Sequence, residues 1–223
     1  MMHLLCACVP FPVTGGSISE DGGRIDFDIP EGQIPDKEDL AARINQLILE
    51  DHKVSFRWIS DAEMEANLHL VRTMSVKPPM GSGRVRLVSI GNDSVDLQPC
   101  GGTHVRQTGD IGLVRILSEA AVASGVRRME AVTATDARAY LDEQDHRLKA
   151  VAATLKTSPT DVLARVESLV EERRKLEREL TVARKQLALG GGGSGAAASE
   201  TVNGVAFNGR AVTGVQPKDL KPL

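Results

Sequence analysis

The chain has 223 residues and a formal net charge of −3, which is room for one or two domains with a real core and argues against a broad nucleic-acid surface built on net charge, though not against a local basic patch. Aromatic residues make up only 3%, so Ala, Val, Leu and Ile must do most of the packing. Three cysteines do not make a disulfide framework and fit a reducing, cytoplasmic setting; the apolar opening lacks the basic region and cleavage site of a signal peptide, and no run is long and apolar enough to cross a membrane.

Met1 to Cys8 reads as the tail of a helix stopped by Pro10 and Pro12. Val13-Thr14-Gly15-Gly16 predicts a glycine turn, either a hairpin corner or a place where a ligand comes close to the backbone. Arg24 to Ile29 alternates at period two and predicts a half-buried strand. Asp36 caps a helix to about Asp51, whose stripe is Leu40, Ile44, Leu47 and Ile48, with His52 as a solvated end residue. Val54 to Ile59 alternates as a strand with Val54, Phe56 and Trp58 on one face, and Ser60-Asp61-Ala62-Glu63 has the order of a capping box. His69, among Leu68, Leu70 and Val71, reads as a structural histidine.

A Pro/Gly-rich loop from Arg72 leads to a hairpin: Arg84 to Ile90, a turn at Gly91-Asn92-Asp93-Ser94, then Val95 to Gln98. Ile111 to Ile116 and Val126 to Thr133 are further predicted strands joined at Gly125. At the end of the hairpin stands Pro99-Cys100-Gly101-Gly102-Thr103-His104. It places a thiol and an imidazole four positions apart, both common zinc ligands, with two glycines that let the backbone bend. The spacing alone leaves a second reading open, a tight turn with a buried cysteine and an incidental histidine.

After Thr133 the pattern becomes helical. A helix from about Asp136 to Thr157 is followed by Ser158-Pro159-Thr160-Asp161, a cap and first-turn signature. The next helix carries Val162, Val166, Leu169, Leu176, Leu180, Ala183 and Leu187 at alternating spacings of four and three, interrupted at Arg173; the two helices read as an antiparallel coiled-coil hairpin, packing within the chain or between chains as a homodimer. Residues 190–200 form a Gly/Ala/Ser-rich linker, and 201–223 are too few to bury a core alone.

Cys100-Gly101-Gly102-Thr103-His104, with Thr108-Gly109-Asp110-Ile111-Gly112 and Gly125-Val126-Arg127-Arg128-Met129-Glu130-Ala131, resembles the editing domain of alanyl-tRNA synthetases and the free-standing alanyl-tRNA editing proteins. His3-Leu4-Leu5, Val13-Thr14-Gly15-Gly16 and Arg24-Ile25-Asp26-Phe27 are similar to the same family, while Thr73 to Pro79 and Asp96 to Cys100 are closest to the free-standing branch. The helical hairpin, linker and tail resemble the synthetase beyond its editing domain. The two styles together suggest a fused or truncated product without an aminoacylation domain.

The resemblance implies an α+β fold: an editing domain with a mixed or antiparallel sheet and helices at 1–133, a coiled-coil helical hairpin at 134–189, the linker at 190–200, and a partial C-terminal segment at 201–223. It implies a zinc-dependent hydrolase that removes serine or glycine wrongly attached to tRNA(Ala). His3, Cys100 and His104 match three of the family's Zn2+ ligands, and a fourth, the first histidine of an H-x-x-x-H pair, would fall before Met1. Thr14 matches a position that recognises the substrate hydroxyl. Lys77, Arg84, Arg86, Arg106, Arg127 and Arg128 are candidates for tRNA phosphates, although solvated strand faces explain them equally well. The alternative is a non-catalytic tRNA-binding or dimerising fragment with an incomplete metal site.

Overall fold

The computed structural model describes residues 1–74, 78, 80–190 and 199–208, and the chain divides into two compact units, Met1–Asp145 and a second that starts at His146. Antiparallel sheets and helices together make an α+β fold.

In the first unit, helix α1 (Met2–Cys8) is short and ends where Val9 turns extended. Strands β1 (Val13–Ser19) and β2 (Gly22–Asp28) form a hairpin, and the sheet continues through β7 (Val126–Thr133) to β6 (Val114–Ala123), all antiparallel. The expected corner at Gly15-Gly16 is instead inside β1, next to a register shift between Val13 and Gly15. The corner itself falls at Glu20-Asp21 and is completed by Gly22, whose φ of +144° and 2.8 Å approach of a would-be Cβ to the Ala131 carbonyl oxygen leave room for glycine alone.

Helix α2 (Lys37–Leu49) starts where expected, with the Asp36 carboxylate accepting from the Glu38 and Asp39 amides. Its buried stripe of Leu40, Ile44 and Ile48 joins Leu4, Leu5 and Val9 of α1 and its exit with Ile25, Phe27, Val114, Ile116 and Met129 of the sheet in one core. Each such side chain stabilises the fold by roughly 1.5–3 kcal/mol when fully buried.

A second sheet orders β3 (Val54–Ser60), β4 (Arg84–Ile90) and β5 (Asp96–Pro99), again antiparallel. The capping box at Ser60 and Glu63 forms and starts α3 (Asp61–Ala66), whose Met64 packs with Val85 and Leu87. The face of β3 that carries Phe56 and Trp58 is not a core face: the rings are 59% and 52% exposed, and Ile59 on the other face packs against the small core. His69 is exposed in a 3-10 turn at Leu68–Leu70 and is not a core histidine. The expected strand at Ile111–Ile116 begins later, at Val114, because Thr108–Ile111 forms a 3-10 turn that Gly112 ends at φ +75°.

Helix α4 (Ala134–Leu155) and helix α5 (Val162–Gly190) follow, the latter entered through a 3-10 turn at Pro159–Asp161. Several seam positions of α5 stand in solvent, Leu176 at 55%, Leu180 at 50% and Leu187 at 72% exposure. A hairpin of β8 (Ser199–Val202) and β9 (Val205–Asn208) turns through Asn203-Gly204, both at positive φ, a conformation matching the type I′ preference of Asn-Gly. Residues 191–198 of the expected linker and 209–223 of the expected C-terminal segment lie outside the described residues.

Because Leu5 is fully buried and anchors α1 to the main core, Leu5→Ala is expected to lower unfolding free energy by about 2–5 kcal/mol, read from the shift of the urea denaturation midpoint.

Candidate metal centre

His3, Cys100 and His104 come from two distant parts of the chain. His3 rides on α1, which Leu4 and Leu5 press into the core; Cys100 follows β5, and His104 sits in the loop after it. One donor atom from each residue lies within 4.8 Å of the others. The His3 Nε2 and His104 Nε2 atoms are 3.1 Å apart, with the rings edge to face at 4.8 Å between centroids. Two imidazole nitrogens and a sulfur aimed at one point form the donor set that zinc prefers.

Behind this set lies a layer that the sequence reading did not single out for a role. The Asp96 carboxylate accepts from His3 Nδ1 at 2.7 Å, with side-chain exposures of only 6% and 13%. A carboxylate can only accept there, so Nδ1 keeps a proton and Nε2, facing His104 and Cys100, is the nitrogen that can give up its proton to a metal. Gln98 Nε2 donates to the same Asp96 oxygen at 2.8 Å. This is the carboxylate–histidine arrangement that orients metal ligands. The signal was present as the alternation of Asp96 and Gln98 along β5 with Cys100 just past its end, polar groups at every second position of a strand that has a buried side.

The loop itself is held from β4. Arg86 Nη1 donates to the carbonyls of Gly102 at 2.6 Å and Cys100 at 3.3 Å, while the Cys100 amide donates to the Arg86 carbonyl at 3.1 Å. The turn that brings β5 back beside β4 needs Gly91, at φ +64°, where a Cβ would meet Ser94 Oγ and Val95 Cγ2 at 2.9 Å. Gly101 and Gly102, by contrast, do not have positive φ, and a Cβ on Gly101 would meet nothing. Their lack of side chains leaves open floor rather than making the bend.

The electrostatics of the metal-free set are those of a thiolate among donors. Hydrogen bonds from His104 and His3 pull the Cys100 thiol down to about 5, against the opposing effect of burial. Burial alone would lower His3, but Asp96 and Cys100 outweigh it and push the ring up to about 9. The His104 Nδ1 atom is buried with no hydrogen-bond partner. The residues therefore fit a divalent cation: three converging donors, one of them already anionic, and a carboxylate behind the first histidine. Cys6 and Cys8 do not join them; both are free and buried, and burial pushes Cys6 up to about 11 and Cys8 in the same direction.

A cavity of about 910 Å³ opens beside the set, floored by Cys100, Gly101, Gly102, Thr103 and His104, and walled by Trp58, Arg84 and Arg86. Thr73 also lines it and is bridged to Val13, so the start of β1 is tied to the cavity wall. Thr14, next along β1, donates its hydroxyl to the Asp26 carbonyl at 3.2 Å.

The other predicted residues divide. Arg84 and Arg86 line the cavity, lying over the Trp58 and Phe56 rings at 4.7 and 4.5 Å. Arg106 is exposed on the loop that follows His104. Arg127 and Arg128 are instead committed to the sheet: Arg127 forks onto Glu119, and Arg128 makes two 2.8 Å bonds to Asp26, holding that carboxyl below its usual range. Bidentate pairing across neighbouring strands accounts for the placement of both side chains. Lys77 lies outside the described residues.

Residues 85–130, which hold β4, β5 and the Cys100–His104 loop, match the family described as the threonyl and alanyl tRNA synthetase second additional domain. This stretch is similar to a domain described for those two synthetases. Over nearly its whole length the chain is similar to alanine–tRNA ligases: it is 48% identical over 231 residues to that of Mesorhizobium japonicum, 48% over 225 residues to that of a Chelativorans species, and 47% over 232 residues to that of Sinorhizobium medicae. These alignments cover 95%, 94% and 95% of this chain but 25%, 24% and 25% of the relatives, so the chain spans about a quarter of the length of the curated relatives it matches. A single alignment runs through both halves, and no join between two sources is needed to explain their different styles.

In the metal-free chain, alkylation by iodoacetamide should select Cys100 over the buried Cys6 and Cys8, hold its rate from neutral pH down to about 5, and fall below that as the thiolate is protonated. Added Zn2+ should protect it, less well at low pH because metal must displace protons; with Asp96→Asn the concentration giving half protection should rise about 10–100-fold.

Proposed function

We propose that this segment is a zinc-dependent aminoacyl-tRNA deacylase that hydrolyses Ser- or Gly-tRNA(Ala), with His3, Cys100 and His104 as the metal-holding residues. The observation that carries the reading is the convergence of these three donors, two of which, Cys100 and His104, line the cavity. The alanine–tRNA ligases to which the chain is similar support tRNA(Ala) as the partner.

Zinc in this set would supply a Lewis-acid position beside the ester that joins the amino acid to the terminal ribose. The chain's own residues do the rest. Asp96 holds the His3 proton on Nδ1 so that Nε2 stays available, and Arg86 fixes the loop by its two carbonyl contacts, so the donors are ordered before substrate arrives. The glycine floor lets the ester approach the backbone. Thr14 is assigned to the hydroxyl of a mischarged serine, with β1 tied to the cavity wall through Val13 and Thr73. A site that hydrogen-bonds the extra hydroxyl separates serine from alanine far better than one that rejects by size, which is the physical reason for a separate hydrolytic site.

The domain division at 1–133, 134–189, 190–200 and 201–223 is proposed as the working organisation, with the editing site in the first part. A cytoplasmic setting accords with three free cysteines, and among the described residues no helix is long and apolar enough to cross a membrane. The exposed apolar stripe on α5 favours a second role, pairing of helices between two copies; it predicts a dimer in sedimentation equilibrium that Leu176→Glu with Leu180→Glu dissociates.

The hydrolase reading is tested with purified chain, Ser-tRNA(Ala) and Ala-tRNA(Ala). The seryl ester should be lost rapidly and the alanyl ester slowly, with activity removed by a chelator, restored by Zn2+, and abolished by Cys100→Ala. A chain that leaves seryl-tRNA intact with zinc bound would favour the non-catalytic alternative.

A further inference from the structure

The sheet face that carries Cys100 continues across two more strands. Trp58 of β3 stands opposite Arg86 of β4 in the register, and the Cys100 amide bonds to the carbonyl of that same Arg86. Residues opposite one another in an antiparallel sheet point to the same side. Trp58, Arg86 and Cys100 therefore form one row, with Trp58 and Cys100 two strand spacings, about 10 Å, apart at the backbone. Trp58 and Cys100 both line the cavity.

Three features of this row point to one kind of ligand. Trp58 is half exposed although it is large and apolar, and Phe56 beside it is more so. Each ring carries a guanidinium, Arg84 over Trp58 and Arg86 over Phe56, which fixes the ring and adds positive charge while leaving much of its surface open. The described lining of the cavity contains two arginines and no carboxylate, in a chain whose net charge is −3. Aromatic surface interleaved with arginine along a groove is how proteins hold single-stranded nucleic acid, the rings taking bases and the guanidinium groups taking phosphates.

We propose that Trp58, backed by Arg84, is a stacking platform for a base in the single-stranded 3′ end of tRNA, and that it places the terminal ester over the Cys100 end of the row. The identification of the nucleic acid rests on the deacylase reading; the stacking itself does not. Arg86 then serves both ends, tying the loop at Cys100 and Gly102 while it packs on Phe56. Trp58 is a binding residue and takes no part in the hydrolytic step.

The chain has one tryptophan, so tryptophan fluorescence, excited at a wavelength where Tyr140 does not absorb, reports on Trp58 alone. The full chain is titrated with a short single-stranded RNA ending in 3′-CCA, with a duplex RNA of equal charge, and with polyglutamate. Saturable quenching by the single strand and little by the other two is expected. Anisotropy of the labelled RNA should show affinity falling about five- to hundredfold for Trp58→Ala and little for Trp58→Phe, with both variants retaining the wild-type circular dichroism. Equal quenching by duplex or polyglutamate, no quenching, or an unchanged affinity in Trp58→Ala overturns the proposal. Cys100→Ala separates the two readings: a variant that loses deacylation yet is still quenched leaves both intact. Wild-type chain that hydrolyses seryl-tRNA without a Trp58 response defeats the platform alone, and quenching without hydrolysis in the wild type defeats the deacylase alone.

Discussion

The contact on which the site depends is the 2.7 Å bond between His3 and Asp96, made across 93 residues of sequence. It joins the first helix to the last strand of the second sheet in a place almost closed to water. Leaving such a carboxylate without its partner would cost the desolvation of a buried charge, so helix position, ring orientation and proton location are set together. The chain keeps the arrangement by two further ties: Gln98 shares the Asp96 oxygen, and Arg72 donates to the carbonyls of Cys6 and Val9 where α1 ends. Without α1 in that place, Cys100 and His104 would be only the two ends of a loop.

Charge is distributed so that the cavity differs from the rest of the surface. Where arginines are needed for the sheet they are neutralised in fork-shaped pairs, Arg127 with Glu119 and Arg128 with Asp26. Where they line the cavity they lie on aromatic rings instead. Their positive charge is thereby retained beside the donors, and a mildly acidic chain presents a basic, partly apolar wall at this cavity.

Much of the secondary structure was legible because each signal was local. The Asp36 cap, the Ser60–Glu63 capping box, the alternation in β2 and β3, and the glycine turn at Gly91 all depend on neighbours a few residues away. The departures arose where local pattern met tertiary context. Gly15 and Gly16 have turn composition but lie in a strand whose partner β2 supplies the pairing. Phe56 and Trp58 alternate as core residues would, yet the face that packs on Val85 and Leu87 is the other one, because α3 covers that side. Ile111 belongs to a 3-10 turn, with the Thr108 hydroxyl donating to the Leu47 carbonyl at the end of α2.

From sequence alone, the elements, the Cys100–His104 spacing and the resemblance that brought in His3 were available, since composition, periodicity and motif are written along the chain. Which groups meet was not. That Asp96 fixes the His3 proton, that Arg86 holds the loop, that Arg127 and Arg128 are taken up by carboxylates, and that Trp58 stands in one row with Cys100 were decided only by the tertiary structure, because each is a contact between side chains whose separation in space bears no relation to their separation in sequence.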